Sequence, residues 1–192
     1  MKLYVCFFRT CTSAQQHETA HRLLAYVLKK EYGITDFTLE RTRHGKPYLA
    51  SHPHIRFNLS HCKEMAVCGV GKTALGVDGE CLRSVRSGVV RRACAPSEAQ
   101  VLAAAQQPDY MFTRLWTLKE SFVKAIGVGI SYPMHKAVFS LAEDELRTNI
   151  TGAHFWQYVI DHRYIIAACA AEPENACTLQ MLTEKSLPHN EN

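Results

Sequence analysis

Apolar and polar residues alternate at the start of the chain. Leu3, Val5 and Phe7 fall on one side of the stretch from Lys2 to Phe8 and predict a β-strand. The period then changes. Between Gln16 and Tyr32 the apolar positions Ala20, Leu23, Leu24, Val27 and Leu28 recur at helical spacing, and Gly33 supplies a stop. Short strands are expected at residues 37–40 and 55–58, flanking the loop Gly45-Lys46-Pro47-Tyr48. The run from Met65 to Val70, a Gly71-Lys72-Thr73 turn and the stretch to Gly79 predict a β-hairpin. Residues 82–88 turn polar and basic and read as a connection.

Beyond it the pattern predicts a short helix near 89–93, another from Ser97 behind Pro96, and a long one from about Tyr110. The long helix has Leu115, Leu118, Phe122 and Ala125 on an apolar stripe, while Trp116, Glu120 and Lys124 stack on another face. Strands are expected near 137–141, 155–160 and 164–170, the last two joined by Asp161-His162-Arg163, and a final strand near 177–182. The tail from Glu184 is polar and expected to fray. Helices set beside meandering strands argue for an α+β fold over a parallel doubly wound sheet.

Composition narrows the class. At 192 residues and 47% hydrophobic, the chain can bury a real core, as one domain or two small ones. The formal charge of +4 is mild and favours acidic partners through steering. Basic residues are scattered and aromatics fall on apolar stripes, so a nucleic-acid-binding surface is not expected. Nor is a membrane span or a signal peptide, since Arg9 and His17 interrupt the N-terminal region. The eight cysteines show no CxxC pairing, which predicts reduced thiols and a cytoplasmic protein.

Candidate chemistry gathers at two places. Asp78 and Glu80, at positions i and i+2 of a strand, share a face, and like charges this close invite a cation. Hard oxygen donors suit Mg²⁺, although two solvated strand-end carboxylates would look the same in sequence. On the long helix, Glu120 and Lys124 beside Trp116 could serve a metal–phosphate group or form a plain surface ion pair.

Four motifs in order decide between these readings. Gly45-Lys46-Pro47-Tyr48-Leu49, Phe57-Asn58-Leu59-Ser60-His61, Gly76-Val77-Asp78-Gly79-Glu80 and the segment Trp116 to Ala125 (WTLKESFVKA) resemble the successive motifs of the Sfp-type 4′-phosphopantetheinyl transferases. The resemblance runs from about Thr19 to Ala171 and includes Arg91-Arg92 and Pro96-Ser97-Glu98. It implies a pseudo-two-fold fold of duplicated α/β halves, 1–87 and 88–192, each an antiparallel sheet with a long helix, the active site in the cleft between them. It also implies transfer of the phosphopantetheine arm of coenzyme A to a serine of an apo acyl or peptidyl carrier protein. Asp78, Glu80 and Glu120 would hold Mg²⁺, which Mn²⁺ can replace; Glu120 would be the base, and Lys124 would assist the leaving phosphate. Lys46, Pro47, Ser60, His61, Arg22 and Lys119 would contact coenzyme A. A monomer is expected.

Two departures stand out. Longer members of the resembled family carry an extra basic helix before the Arg22 helix, so part of the 3′-phosphate contact set is expected to be missing here or replaced by Arg41 and Arg43. Gly79 replaces an aliphatic residue. The competing readings are a non-catalytic carrier-protein or coenzyme A binder, which the presence of all three carboxylates argues against, and another Mg²⁺-dependent phosphotransferase, for which no P-loop is present.

Overall fold

The N-terminal alternation forms β1 (Lys2–Phe7), and the helical pattern forms α1 (Ser13–Tyr32), capped by Thr12 and ended at Gly33 with φ 69°. The computed structural model describes residues 1–9, 12–142, 145–172 and 177–188; Cys11 and residues 189–192 of the tail lie outside these. Strands β2 (Leu39–Arg41), β3 (Pro47–Leu49), β4 (Arg56–Cys62), β5 (Met65–Gly71) and β6 (Leu75–Cys81) follow. Then come α2 (Ser87–Ala93), α3 (Pro96–Ala104) and α4 (Pro108–Ile126). The chain continues with β7 (Phe139–Ala142), β8 (Glu145–Thr148), β9 (His154–Ile160), β10 (Tyr164–Ala170) and β11 (Thr178–Thr183). The mixed α+β class is the one expected. Strand β8, paired with β7, was not foreseen.

Two main sheets form, ordered β11-β1-β5-β4 and β6-β10-β9. The expected hairpin over 65–79 is not made. Strand β5 pairs with β1 and β4, whereas β6 pairs with β10, so the connection at 72–74 carries the chain from one sheet to the other. Strand β11 joins β1 in parallel; every other pairing is antiparallel.

Alternation explains the layers. Tyr4, Cys6, Ala66 and Cys68 face α1, while Leu3, Val5, Met65 and Val67 face Leu75, Val77, Ile166 and Ala168 of the second sheet. The other side of that sheet, through Ala167, meets Leu115 and Leu118 of α4. Helix α1 and helix α4 therefore cover two stacked sheets. Strands β5 and β10, buried on both faces, read as continuous apolar runs for that reason. The tail is better anchored than expected, since Glu184–Ser186 forms a 3₁₀ turn and Leu187 is buried against the α1 cluster. Among the described residues no helix is long and apolar enough to cross a membrane.

The two sheets also meet edge to edge. The Val77 N–H donates to Asn58 Oδ1 (2.8 Å) and the Gly79 N–H to Ser60 Oγ (3.2 Å), while Cys62 Sγ faces Cys81 Sγ. Each pair keeps the same sequence offset, so β4 and β6 run parallel, joined by side chains of β4 instead of its backbone. This seam brings Ser60 under Asp78.

Candidate active site

Strand β6 and helix α4 touch at their backbones because Gly76 has no side chain. A Cβ there would lie 2.1 Å from the Ser121 carbonyl oxygen and 2.3 Å from the Ala125 nitrogen. Gly79 answers a similar constraint on the opposite face, where a Cβ would come within 2.7 Å of Val67 Cγ2. The unusual glycine between the two acids is thus a packing requirement of this chain.

With α4 so close, Lys124 Nζ reaches Asp78 Oδ1 at 2.7 Å and Ser60 Oγ at 3.1 Å. Ser60 donates its own proton to Asp78 Oδ1 (2.9 Å). Asp78 is buried, and its Oδ2 has no partner. A buried carboxylate oxygen left unpaired is unfavourable and marks a place for a ligand. Burial, followed by the Asp78 charge, pushes Glu80 up to about 7; Arg83, Lys124 and the Trp116 indole oppose the shift. Glu120 is raised by the same two causes, with Lys124 opposing. With Glu80 and Glu120 resisting ionisation beside the buried Asp78, the three carboxylates have the hard-oxygen chemistry of a Mg²⁺ site. They do not form a ready-made triad. Among the described residues no group of three His, Cys, Asp or Glu side chains is arranged to hold an ion, and the Lys124 ammonium is the cation beside Asp78.

Two cavities open on either side of Trp116. One, of about 470 Å³, is lined by Lys46, Pro47, Glu120, Lys124 and Tyr132 among others. The other, of about 390 Å³, is lined by Glu80, Arg83, Arg86 and Phe112. The Lys46 ammonium does not project freely into the first. It donates to the carbonyls of Leu75 (2.8 Å), Lys124 (2.6 Å) and Ala125 (3.2 Å), tying its loop to the end of α4. Burial, with the Arg56 charge, lowers its pKa to about 8.

His61 lines a third hollow, of about 290 Å³, with His17 and His21 of α1 and Arg41 of β2. Pro47 and Leu59 line this hollow and the 470 Å³ cavity alike, so the two are neighbours. The His61 Nδ1 is buried without a partner. Burial and the neighbouring cations lower the pKa of both His61 and His21. Such crowding of potential cations favours an anion.

Two expected contacts lie elsewhere. Lys119 is fully buried, bound to Glu98 Oε2 at 2.7 Å and to the carbonyls of Met134 (3.1 Å) and Ala137. It is a core residue in this structure, not a cleft residue. Arg22 points to the far side of α1, where its Nε donates to the Pro188 carbonyl (2.8 Å) and it faces Glu184. Of its expected substitutes, Arg41 lines the histidine hollow and Arg43 turns to His44. Sequence reasoning missed His17, His21 and the bridging role of Asn58. The matching alternation of Asn58-x-Ser60 and Val77-x-Gly79 was the available signal.

Residues 74–169 match the family described as the 4′-phosphopantetheinyl transferase superfamily. A 4′-phosphopantetheinyl transferase of Bacillus subtilis is 31% identical over 92% of this chain and 86% of its own length. The psf-1 transferase of Bacillus pumilus is 28% identical over 92% of this chain and 79% of its own. The human L-aminoadipate-semialdehyde dehydrogenase-phosphopantetheinyl transferase is 28% identical over 72% and 54%. With the matched segment beginning just before Gly76 and spanning Asp78, Glu80, Glu120 and Lys124, the chain belongs to the 4′-phosphopantetheinyl transferase superfamily.

Proposed function

We propose that this protein transfers the 4′-phosphopantetheine arm of coenzyme A to a serine of an apo acyl or peptidyl carrier protein, releasing adenosine 3′,5′-bisphosphate. One observation carries the reading: Ser60, Asp78 and Lys124 are hydrogen-bonded together at the edge of the 470 Å³ cavity that Lys124 lines, and Asp78 and Lys124 fall inside the segment shared with transferases. The nucleotide lies in the cavity under the Lys46–Pro47 loop. Lys46 acts there by fixing the loop on α4, and the loop backbone and Pro47 face the base. The 3′-phosphate enters the hollow of His17, His21, Arg41 and His61, and the diphosphate lies between His61, Ser60 and Lys124.

Asp78, Glu80 and Glu120 would hold Mg²⁺ or Mn²⁺, which would supply charge neutralisation for the diphosphate. Lys124 leaves Asp78 Oδ1 for the phosphate and stabilises the departing bisphosphate. Glu120 takes the acceptor serine proton; its raised pKa brings it closer to neutral, where a base is most effective. The serine comes from the side of the second cavity, whose Arg83 and Arg86 suit an acidic carrier. We read the two sheets, with α1 and α4, as versions of one unit; the expected halves 1–87 and 88–192 exchange a strand each, since β6 joins the second sheet and β11 the first, in parallel. The protein works as a soluble monomer in the cytoplasm.

The test is incubation with coenzyme A, Mg²⁺ and a panel of apo-carriers, followed by intact-mass measurement. Carriers should gain one phosphopantetheine arm, and excess chelator should stop the gain. Coenzyme A binding without modification of any carrier would favour the non-catalytic alternative. Full activity in chelator would refute the metal.

A further inference from the structure

Asn58, Ser60 and Cys62 share one face of β4, and Val77, Gly79 and Cys81 oppose them on β6. The first two rungs of this seam are hydrogen bonds. The third is two sulfurs 3.1 Å apart, on half-buried free thiols that solutes can reach. Each strand is fixed by a ladder on its other edge, which at this end pairs Cys62 with Met65 and Cys81 with Tyr164. The sulfurs are therefore held together by the fold and do not meet by chance. Cys6, Cys68, Cys94 and Cys169, by contrast, are buried.

We infer that Cys62 and Cys81 are a covalent modification site, a reversible disulfide made by exchange with a low-molecular-weight disulfide, which closes the seam between the sheets and lowers transfer. One protein thiolate attacks a sulfur of the small disulfide, forming a mixed disulfide and releasing one small thiolate. The second protein thiolate attacks the protein-side sulfur and expels the other small thiolate. The protein gives up two electrons and two protons, and the small disulfide is reduced to two thiols.

A disulfide needs its sulfurs about 2.05 Å apart, so closure draws the strand ends together by about 1 Å. Glu80 immediately precedes Cys81 and His61 immediately precedes Cys62. The displacement is thus made at the backbone of two groups assigned to the diphosphate and metal. Misplacing such groups by about 1 Å is enough to lower turnover up to ~100-fold.

The bond goes beyond the proposed function, and only its effect on turnover rests on that reading, so the test reads the two separately. The purified protein is held in reduced and then oxidised glutathione. Intact mass should fall by two hydrogens, peptide mapping should join Cys62 to Cys81, and Tm should rise by about 5–10 °C. Dithiothreitol should reverse all three. Transfer should drop about tenfold or more on oxidation and recover on reduction. Cys62→Ser and Cys81→Ser should each keep the reduced activity and lose the response. No cross-link, or one through other cysteines, overturns the site. A complete cross-link with undiminished transfer overturns its action on the active site. An oxidant response persisting in both variants does the same.

Discussion

On the side of α4 turned to α3, Lys119 meets Glu98 at 2.7 Å; on the side turned to the cleft, Lys124 meets Asp78 at the same distance. The surroundings differ. The side chains of Lys119 and Glu98 are 0% and 1% exposed, and neither leaves a buried polar atom without a partner. Glu98 also accepts from the Ala95 and Phe139 N–H groups, so one carboxylate caps α3, anchors β7 and neutralises the lysine. The Lys124 side chain is 28% exposed, Asp78 keeps an unpartnered oxygen, and two more carboxylates resist ionisation nearby. The ion-pair distance distinguishes nothing. What remains unsatisfied beside the pair separates a structural pair from a working one.

The largest effect expected from breaking this comparison is on the closed pair. Lys119→Met or Glu98→Gln alone leaves an uncompensated buried group and should destabilise the protein by about 3–5 kcal/mol, read from urea unfolding. Replacing both with apolar residues should recover much of the loss. If Lys119→Met folds normally but binds coenzyme A poorly, Lys119 is a substrate residue after all. At the open pair the readout inverts. Lys124→Ala and Glu120→Gln should reduce transfer by about 100-fold or more, equivalent to about 2.7 kcal/mol. Glu120→Gln should change stability by less than about 1 kcal/mol, and Lys124→Ala, which leaves the buried Asp78 without its cation, by less than the closed-pair variants. Near wild-type turnover in both would reduce α4 to a scaffold.

A smaller effect concerns pH. Glu80 holds its proton up to about 7 when folded, against a reference of 4.5, so the folded state binds the extra proton between those values. Stability in chelator should therefore be highest at the acid end and fall as pH rises through this window, by about 1–3 kcal/mol. Glu80→Gln should flatten the slope; an unchanged slope would assign it to another group. The smallest effect is at the histidine hollow. His21 has a lowered pKa, so the unfolded chain takes its proton first as pH falls below 6.5, and the empty hollow becomes destabilising. A bound phosphate reverses the preference. Stabilisation by coenzyme A should grow from about pH 8 to about pH 6, and His21→Ala should weaken coenzyme A by about threefold to tenfold while sparing dephospho-coenzyme A. Equal losses for both ligands would place the 3′-phosphate elsewhere.

Much of this was legible in the chain. The stripes of α1 and α4, the strand β10 and the cleft face of Trp116, Glu120 and Lys124 follow from periodicity. The misreadings have physical causes. Strands adjacent in sequence usually pair, but the β6 edge found acceptors on Asn58 and Ser60 side chains, and its other edge took β10. Neighbours on a helix diverge by about 100°, so the adjacency of Lys119 to Glu120 says nothing of a shared face. Arg22 was assigned by the family resemblance, whereas the face of α1 turned to His61 carries His17 and His21.

The seam has a consequence for how the molecule breathes. The Val77 and Gly79 amides are shielded by side chains of the other sheet, not by a backbone ladder. Their exchange with deuterated solvent needs only that the two sheets part along one line, whereas amides of β6 bonded to β10 wait for their own sheet to open. These two amides are a built-in gauge of cleft opening. Native-state exchange should show them faster than their alternating neighbours in the free protein and slowed when a ligand bridges Ser60 and Lys124.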